Sequence, residues 1–301
     1  MKNNEDLQLN NPIPMRFMPI PFTDGIEEIC RDLKTRTEKG SITYGVEILD
    51  ECCEYIRPGT VTLIMATPNT GKSLIAQQIA VNVAKQGQDV IFSSCEMSAG
   101  LLMERELKKI AGVTTYQLVE GYKKSPEGIS KMLNSFMQDE NYNYIQRIKV
   151  QDIGGIHIDD LLKIYDMNPD CKYFIVDYIQ RIKGNGNTEY EQLKDVSYKL
   201  QIYAMENKKS IMVCAQIPKT NENECRSGRD SSINFQMLKA KGAGNMEEDA
   251  HIGIKMAEQL EGNQRYVLIN LSKNKYGSKK FVTYKYQITP RLEFKLIARE
   301  V

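Results

Sequence analysis

The chain has 301 residues, 41% hydrophobic and 26% charged, the balance of a folded protein with one large domain or two small ones. Forty basic against 39 acidic residues leave a formal net charge of +1. That balance excludes bulk attraction to polyanions, so any nucleic-acid contact must be local. Seven cysteines, with no CxxC or Cys/His ligand spacing, argue against structural zinc and fit a reduced, cytoplasmic protein. The N-terminal MKNNEDLQLN lacks the apolar run of a signal peptide, and stretches such as Val61–Ala66 are too short to span a bilayer, so no membrane contact is expected.

Residues 1–22 carry Pro12, Pro14, Pro19 and Pro21; proline removes backbone donors and favours extended chain, which predicts an arm. Thr23 or Asp24 is placed to cap a helix from about Gly25, with Glu27 and Glu28 favourable in its first turn. Ile26, Ile29, Cys30 and Leu33 form one narrow apolar stripe, which needs either its own domain or a neighbouring subunit to dock on. From about Ser41 strands and helices alternate. Val61–Ala66 reads as a strand, Ser73–Gln86 as a helix ended by Gly87, Val90–Ser94 as a strand, and Leu101–Ala111 and Ser130–Met137 as helices. Arg147–Gln151 is a strand, His157–Met167 a helix, Tyr173–Asp177 a strand, Glu189–Glu206 a long helix and Ser210–Ala215 a strand. Beyond Glu247 come strands alone: Ile252–Met256, Arg265–Leu271, Phe281–Gln287 and Arg291–Leu296. The pattern predicts an α/β fold, a mostly parallel sheet with helices on both faces and an antiparallel C-terminal edge. One domain over 41–301 follows an arm and helix over 1–40.

The loop Ala66-Thr67-Pro68-Asn69-Thr70-Gly71-Lys72-Ser73 lies between a predicted strand and helix. Backbone N–H groups in such a loop cradle phosphate oxygens, aided by the helix N-terminus. Thr67 to Leu74 are therefore expected to hold ATP, with Lys72 on the β- and γ-phosphates and the Ser73 hydroxyl on Mg²⁺. The generic pattern opens on Gly where this chain has Ala66. Tyr173–Asp177 is an apolar strand ending in an acid at the sheet edge where open α/β sheets bind ligands, so Asp177 is a second candidate metal residue. Glu96, after Val90–Ser94, could activate the attacking water; the plainer reading is a solvated strand-end acid. Gln216, after Ile211–Ala215, is a neutral donor suited to sensing the γ-phosphate.

In this order the pieces resemble the RecA-like P-loop motor domain of DnaB-family replicative helicases. That family's phosphate loop opens on Ala, as ATPNTGKS does. ITYGVEILDECCEYIRPGTVTLI, SSCEMSAGLLMER, FIVDYIQRI, CAQIPK, GAGNMEEDAHI and LSKNKYG resemble its successive motifs, from about Gly25 to Leu296. The resemblance places the family's catalytic glutamate on Glu96 and its second nucleotide motif on Asp177 to Gln180.

The resemblance implies an ATP- and Mg²⁺-dependent DNA helicase or translocase, a hexamer with ATP between subunits, moving along single-stranded DNA in replication of a bacterial, phage or mobile-element replicon. A basic finger supplied by the neighbour maps to Lys275, with Lys273 as companion. The family has arginine at Lys275, and lysine lacks the planar fork that bridges several oxygens. Only a short arm precedes the motor segment, so the linker helix and the ATP interface are expected to carry ring assembly, and recruitment by a loader or primase is expected to differ. Two DNA-facing loops map to Arg181–Thr188, with Arg181 and Lys183 flanking a flexible Gly184–Asn187, and to Pro218–Met246, with Lys239, Lys241, Gly242 and Gly244 nearest the contacts. Neither has a stacking aromatic except Phe235, which predicts backbone tracking without base readout. Arg105 matches an arginine of the family's post-glutamate helix, but a surface ion pair explains it equally well. His157 and His251 have no partner at ligand spacing. Two further readings stay open: a DNA-binding ATPase switch or loading factor without processive unwinding, and a RecA- or KaiC-like ATPase.

Overall fold

A computed structural model describes residues 21–220, 226–227, 232–239, 244–277 and 281–299. Lys241 and Gly242 lie outside the described residues. The chain divides into two units at Ser41/Ile42. The described part of the first is helix α1 (Asp24–Lys39), closed by Gly40 at φ +77°, whose N–H donates to Arg36 O. Thr23 is itself helical (φ −63°, ψ −24°) and makes no side-chain cap bond, so the capping expected of it is not made. Ile26, Ile29 and Leu33 are 60%, 60% and 52% exposed, an apolar stripe along one helix.

The second unit begins with α2 (Glu47–Cys53), which the sequence reading passed over. Seven residues are too few for a 3.6-residue period to declare itself. Its geometry is set by burial of Ile48, Leu49, Cys52 and Cys53 and by Asp50, which accepts the N–H groups of Tyr44 (2.7 Å) and Gly45 (2.9 Å). There follow β1 (Val61–Ala66), α3 (Lys72–Lys85), β2 (Val90–Ser94), α4 (Ala99–Ala111), α5 (Thr115–Lys124) and α6 (Pro126–Gln138). Next come β3 (Ile148–Asp152), α7 (Ile158–Asp166), β4 (Tyr173–Asp177), α8 (Glu189–Asn207) and β5 (Ser210–Gln216). A small ribbon pairs β6 (Arg226–Ser227) with β7 (Ser232–Ile233), and α9 (Gly244–Asp249) leads into β8 (Ile252–Glu261), β9 (Gln264–Asn274), β10 (Thr283–Ile288) and β11 (Phe294–Ala298).

Among the described residues the main sheet runs β11-β10-β9-β8-β1-β5-β4-β2-β3. It is parallel from β8 to β3 and antiparallel from β8 to β11, as expected from the strand pattern. Its central strands are buried on both faces because successive side chains alternate. Ile64 and Ala66 join a core with α2 and α3, while Val61, Leu63 and Met65 join one with α7 and α8. Helix α5 was also missed: it buries no residue, leaving Tyr116 and Tyr122 exposed, and is started by a Thr114–Gln117 capping box.

His251, buried just before β8, accepts the Val61 N–H on Nδ1 (3.1 Å) and stacks on Tyr276 with centroids 5.9 Å apart. Burial, and after it the Lys275 and Lys273 charges, lower its pKa from 6.5 to about 4. Between those values the unfolded chain holds the extra proton, so this contribution is complete above pH 6.5 and is lost as pH falls through 4. The shift corresponds to about 3 kcal/mol at most. Chemical unfolding at pH 7 and pH 4.5 is expected to show a larger acid loss for the native protein than for His251→Gln.

Candidate functional site

Four of the parallel strands end within two residues of one another. Ala66 pairs with Gln216, Cys214 with Asp177, and Asp177 with Ser94. The loop Thr67–Gly71, the acid of β4, the end of β5 and the turn after β2 therefore meet at one edge, where ligands bind in open α/β sheets. Thr67 and Thr70 close the phosphate loop through their hydroxyls (2.7 Å). Gly71 sits at φ +100°, and a Cβ there would lie 2.8 Å from the Phe294 ring; only glycine satisfies both constraints. The N–H groups of Leu74 and Ile75 already return to Gly71 O, each at 3.0 Å, as α3 begins.

Lys72 pairs with Asp177 Oδ1. Burial lowers the Lys72 pKa, but the Asp177 carboxylate that it bonds acts against this and the net direction is upward, so the ammonium is retained. The Cys214 thiol is pushed well above its ordinary range by its own burial and stays neutral. Among the described residues Asp177 Oδ2 is buried with no hydrogen-bond partner. A carboxylate oxygen and the Ser73 hydroxyl at the start of α3 are both donors of the kind that a hard divalent cation takes.

Ser94 Oγ accepts the Met97 N–H at 2.8 Å, a side-chain turn that puts the exposed Glu96 on the wall of a cavity of about 780 Å³. Thr67, Asn69, Lys72, Ser73 and Gln216 line the same cavity. Gln216 is fixed through its backbone: its N–H donates to Gln180 Oε1 (3.2 Å) and its carbonyl accepts from Gln180 Nε2 (3.1 Å). The cavity is large enough for a small-molecule ligand.

Two arginines complete its lining. Arg105, on α4, has a buried Nη1 with no partner; burial lowers its pKa and Asp177 opposes the shift. Among the described residues that nitrogen meets no acceptor, so a surface ion pair is not what holds it. Arg265, from β9, reaches the phosphate loop at Asn69 O and pairs with Glu258 at 2.8 Å. Sequence reading missed Arg265 because a lone arginine at a strand start carries no signal; the β8–β9 hairpin, longer than expected, brings it over the loop.

The sequence profile of the DnaB-like helicase C terminal domain matches residues 41–290. The chain belongs to that family. A DnaB replicative helicase of Helicobacter pylori is 25% identical over 241 residues, covering 75% of this chain and 46% of the relative, so the chain spans about half the length of that protein. The ATPase domain of G40P superposes with a TM-score of 0.71 at 16% identity, covering 93% of this chain and 100% of that one. A DnaB-like replicative helicase, solved with attention to its interactions with primase, gives 0.69 at 17% identity, covering 92% and 67%. These two likenesses establish the RecA-like ATPase fold.

In this DnaB-like domain Lys275 lies far from its own phosphate loop. Asn274 pairs with Ile252, and Ile252 with Thr62 near the start of β1, whereas the loop leaves the end of β1 at Ala66. Lys275 is exposed, with its N–H on His251 O (3.0 Å). Lys273 is occupied differently: its ammonium bonds the carbonyls of Glu247 and Glu248 at the end of α9, a helix-terminal position that favours a cation. The DNA-loop candidates are partly pinned. Gly184 is not there for flexibility: a Cβ would strike Gln192 O at 2.2 Å, so glycine allows close approach to α8. Asn185 N–H donates to Asp195 (2.8 Å), and Thr188 opens α8 with a capping box. Lys183 bonds Ile156 and Ile158 through its backbone and leaves an exposed side chain, as Arg181 does. Lys239 is exposed, Gly244 opens α9, and Phe235 packs on the core instead of standing free to stack. His157 caps α7 through Nδ1 on the Asp159 N–H. Among the described residues no helix is long and apolar enough to cross a membrane, and no His/Cys/Asp/Glu group could hold a metal by itself.

Proposed function

We propose that this domain hydrolyses ATP and couples hydrolysis to movement along single-stranded DNA, as a ring of copies of the chain. The reading is carried by the meeting of Lys72, Glu96 and Gln216 on one cavity wall, with Asp177 buried behind it and paired to Lys72, within a DnaB-like domain. Thr67 to Leu74 hold the triphosphate through backbone N–H groups and the start of α3. Lys72 leaves Asp177 for the β- and γ-phosphates. Ser73 and Asp177 hold Mg²⁺, which when bound offsets charge on the phosphates. Glu96 takes a proton from the water that attacks the γ-phosphorus, while Gln216 and Arg105 contact the γ-phosphate and its developing charge.

Lys275, on the opposite sheet end from its own loop, serves the site of an adjacent copy; Lys273 braces α9 behind it. The apolar stripe of α1 docks on a neighbouring subunit, and a hexamer closes the ring. Arg181, Lys183, Lys239, Lys241, Gly242 and Gly244 are the residues assigned to the strand's phosphates in this reading. A primase or loader is the proposed partner in DNA replication, in the cytoplasm.

ATP turnover is expected to rise on adding single-stranded DNA, and a forked duplex is expected to be displaced only with hydrolysable ATP. Hydrolysis with strand binding but no displacement would establish the switch reading instead. Particle mass with an ATP analogue and an oligonucleotide reads the ring directly; a chain that stays monomeric defeats it.

A further inference from the structure

Tyr178 is in contact with two cations. Lys72 Nζ lies 4.9 Å from the centroid of its ring. Arg181 Nε donates to its hydroxyl at 2.7 Å, with the guanidinium 5.8 Å from the same centroid. The ring is 7% exposed, whereas Arg181 is open to solvent. One buried side chain therefore touches both the lysine of the phosphate loop and the first basic residue of the candidate strand-binding loop. Its surroundings leave it little freedom to yield. Cys95 N–H bonds Asp177 O (2.7 Å) just before it, and the Gln180 amide is doubly bonded to Gln216 just after it.

We propose that Tyr178 couples strand contact at Arg181 to nucleotide occupancy at Lys72, so that each ligand raises the affinity for the other. The proposal rests on the reading of Arg181 as a strand contact given above. In the absence of nucleotide both cations share the electron-rich ring. A triphosphate, with its larger negative charge, draws Lys72 off Asp177 and away from that ring. The ring and hydroxyl are then left to Arg181 alone. With Nε held by Tyr178, the terminal nitrogens of the guanidinium fork are set for a phosphate oxygen of the strand. By linkage, a strand that holds Arg181 in this arrangement favours Lys72 on the nucleotide by the same factor. The Glu96 carboxylate is also close enough, after the Tyr178 hydroxyl itself, to raise the Arg181 pKa, which puts the strand-side cation within the field of the proposed base.

Tyr178→Phe keeps the ring and removes the hydroxyl; Tyr178→Leu removes both. Two ratios are read within each preparation, so a general loss of activity cancels: oligonucleotide affinity with a non-hydrolysable ATP analogue over that with ADP, and ATP turnover with strand over that without. The native protein is expected to show ratios of about five or more. Tyr178→Phe should reduce them by at least half, and Tyr178→Leu should bring them to about one. Arg181→Lys, which keeps the charge but loses the Nε bond, should match Tyr178→Phe, and the double variant should lose nothing further. Ratios that survive both Tyr178 variants overturn the coupling while leaving the motor reading intact. A native protein with ratios of one overturns both.

Discussion

Replacing Glu96 by Gln is expected to slow ATP turnover by about 10²- to 10⁴-fold, the usual worth of a positioned general base, with nucleotide binding kept within a few-fold. The substitution is nearly isosteric, and Glu96 is exposed on the cavity wall, so folding is not at stake. Binding should hold because, on the proposed reading, the phosphates rest on the loop, on Lys72 and on α3, none of which Glu96 supports. Single-turnover hydrolysis alongside fluorescent-nucleotide titration separates the two quantities. Turnover within two-fold of the native rate would remove Glu96 as the base and leave the water to another group.

The second large effect concerns Lys275. A finger supplied from a neighbour can carry about 10³- to 10⁵-fold in rate; lysine in place of arginine should sit at or below the lower end, since an ammonium lacks the rigid planar fork that a guanidinium presents to two oxygens at once. Lys275→Ala is therefore expected to cost about 10²- to 10³-fold in turnover, with the isolated chain binding nucleotide as before. The sheet register supplies the sharper test. Lys275 follows Asn274, at the opposite end of the sheet from the loop after Ala66, so it cannot reach its own site. Mixing Lys275→Ala subunits with Glu96→Gln subunits should then restore part of the activity that neither has alone. A site with Glu96 from one and Lys275 from the other is complete, whereas two defects acting within the same chain would stay additive. No recovery on mixing rules out action across subunits.

These two residues also show how much was legible beforehand. The strand ends that carry Asp177, Glu96 and Gln216 could be read because fully buried parallel strands are short apolar runs, and the residue after such a run lies at the ligand-binding edge. The phosphate loop was legible for a similar reason: Gly71-Lys72-Ser73 between strand and helix is a local backbone requirement, and the positive φ at Gly71 is local too. Arg105 and Arg265 were not resolved, since both act through contacts distant in sequence. Arg265 meets Asn69 across 196 positions, and Arg105 Nη1 is buried where no described residue offers it an acceptor. Lys273 illustrates the reverse: charge and spacing pair it with Lys275, but the fold turns its ammonium onto the end of α9.

Order and period along the chain thus determined the α/β class, the alternation that makes a parallel sheet, the antiparallel edge and the types of side chain at the ligand edge. All of these follow from interactions within about one turn or one strand, which the local residue pattern states directly. Tertiary structure alone decided which charges are satisfied and by whom: Lys72 on Asp177, Arg181 on Tyr178, Gly184 against α8, and Lys275 on the far end of the sheet. Those outcomes depend on strand register and on which acceptors burial leaves unpaired. Neither quantity exists until distant segments are brought together.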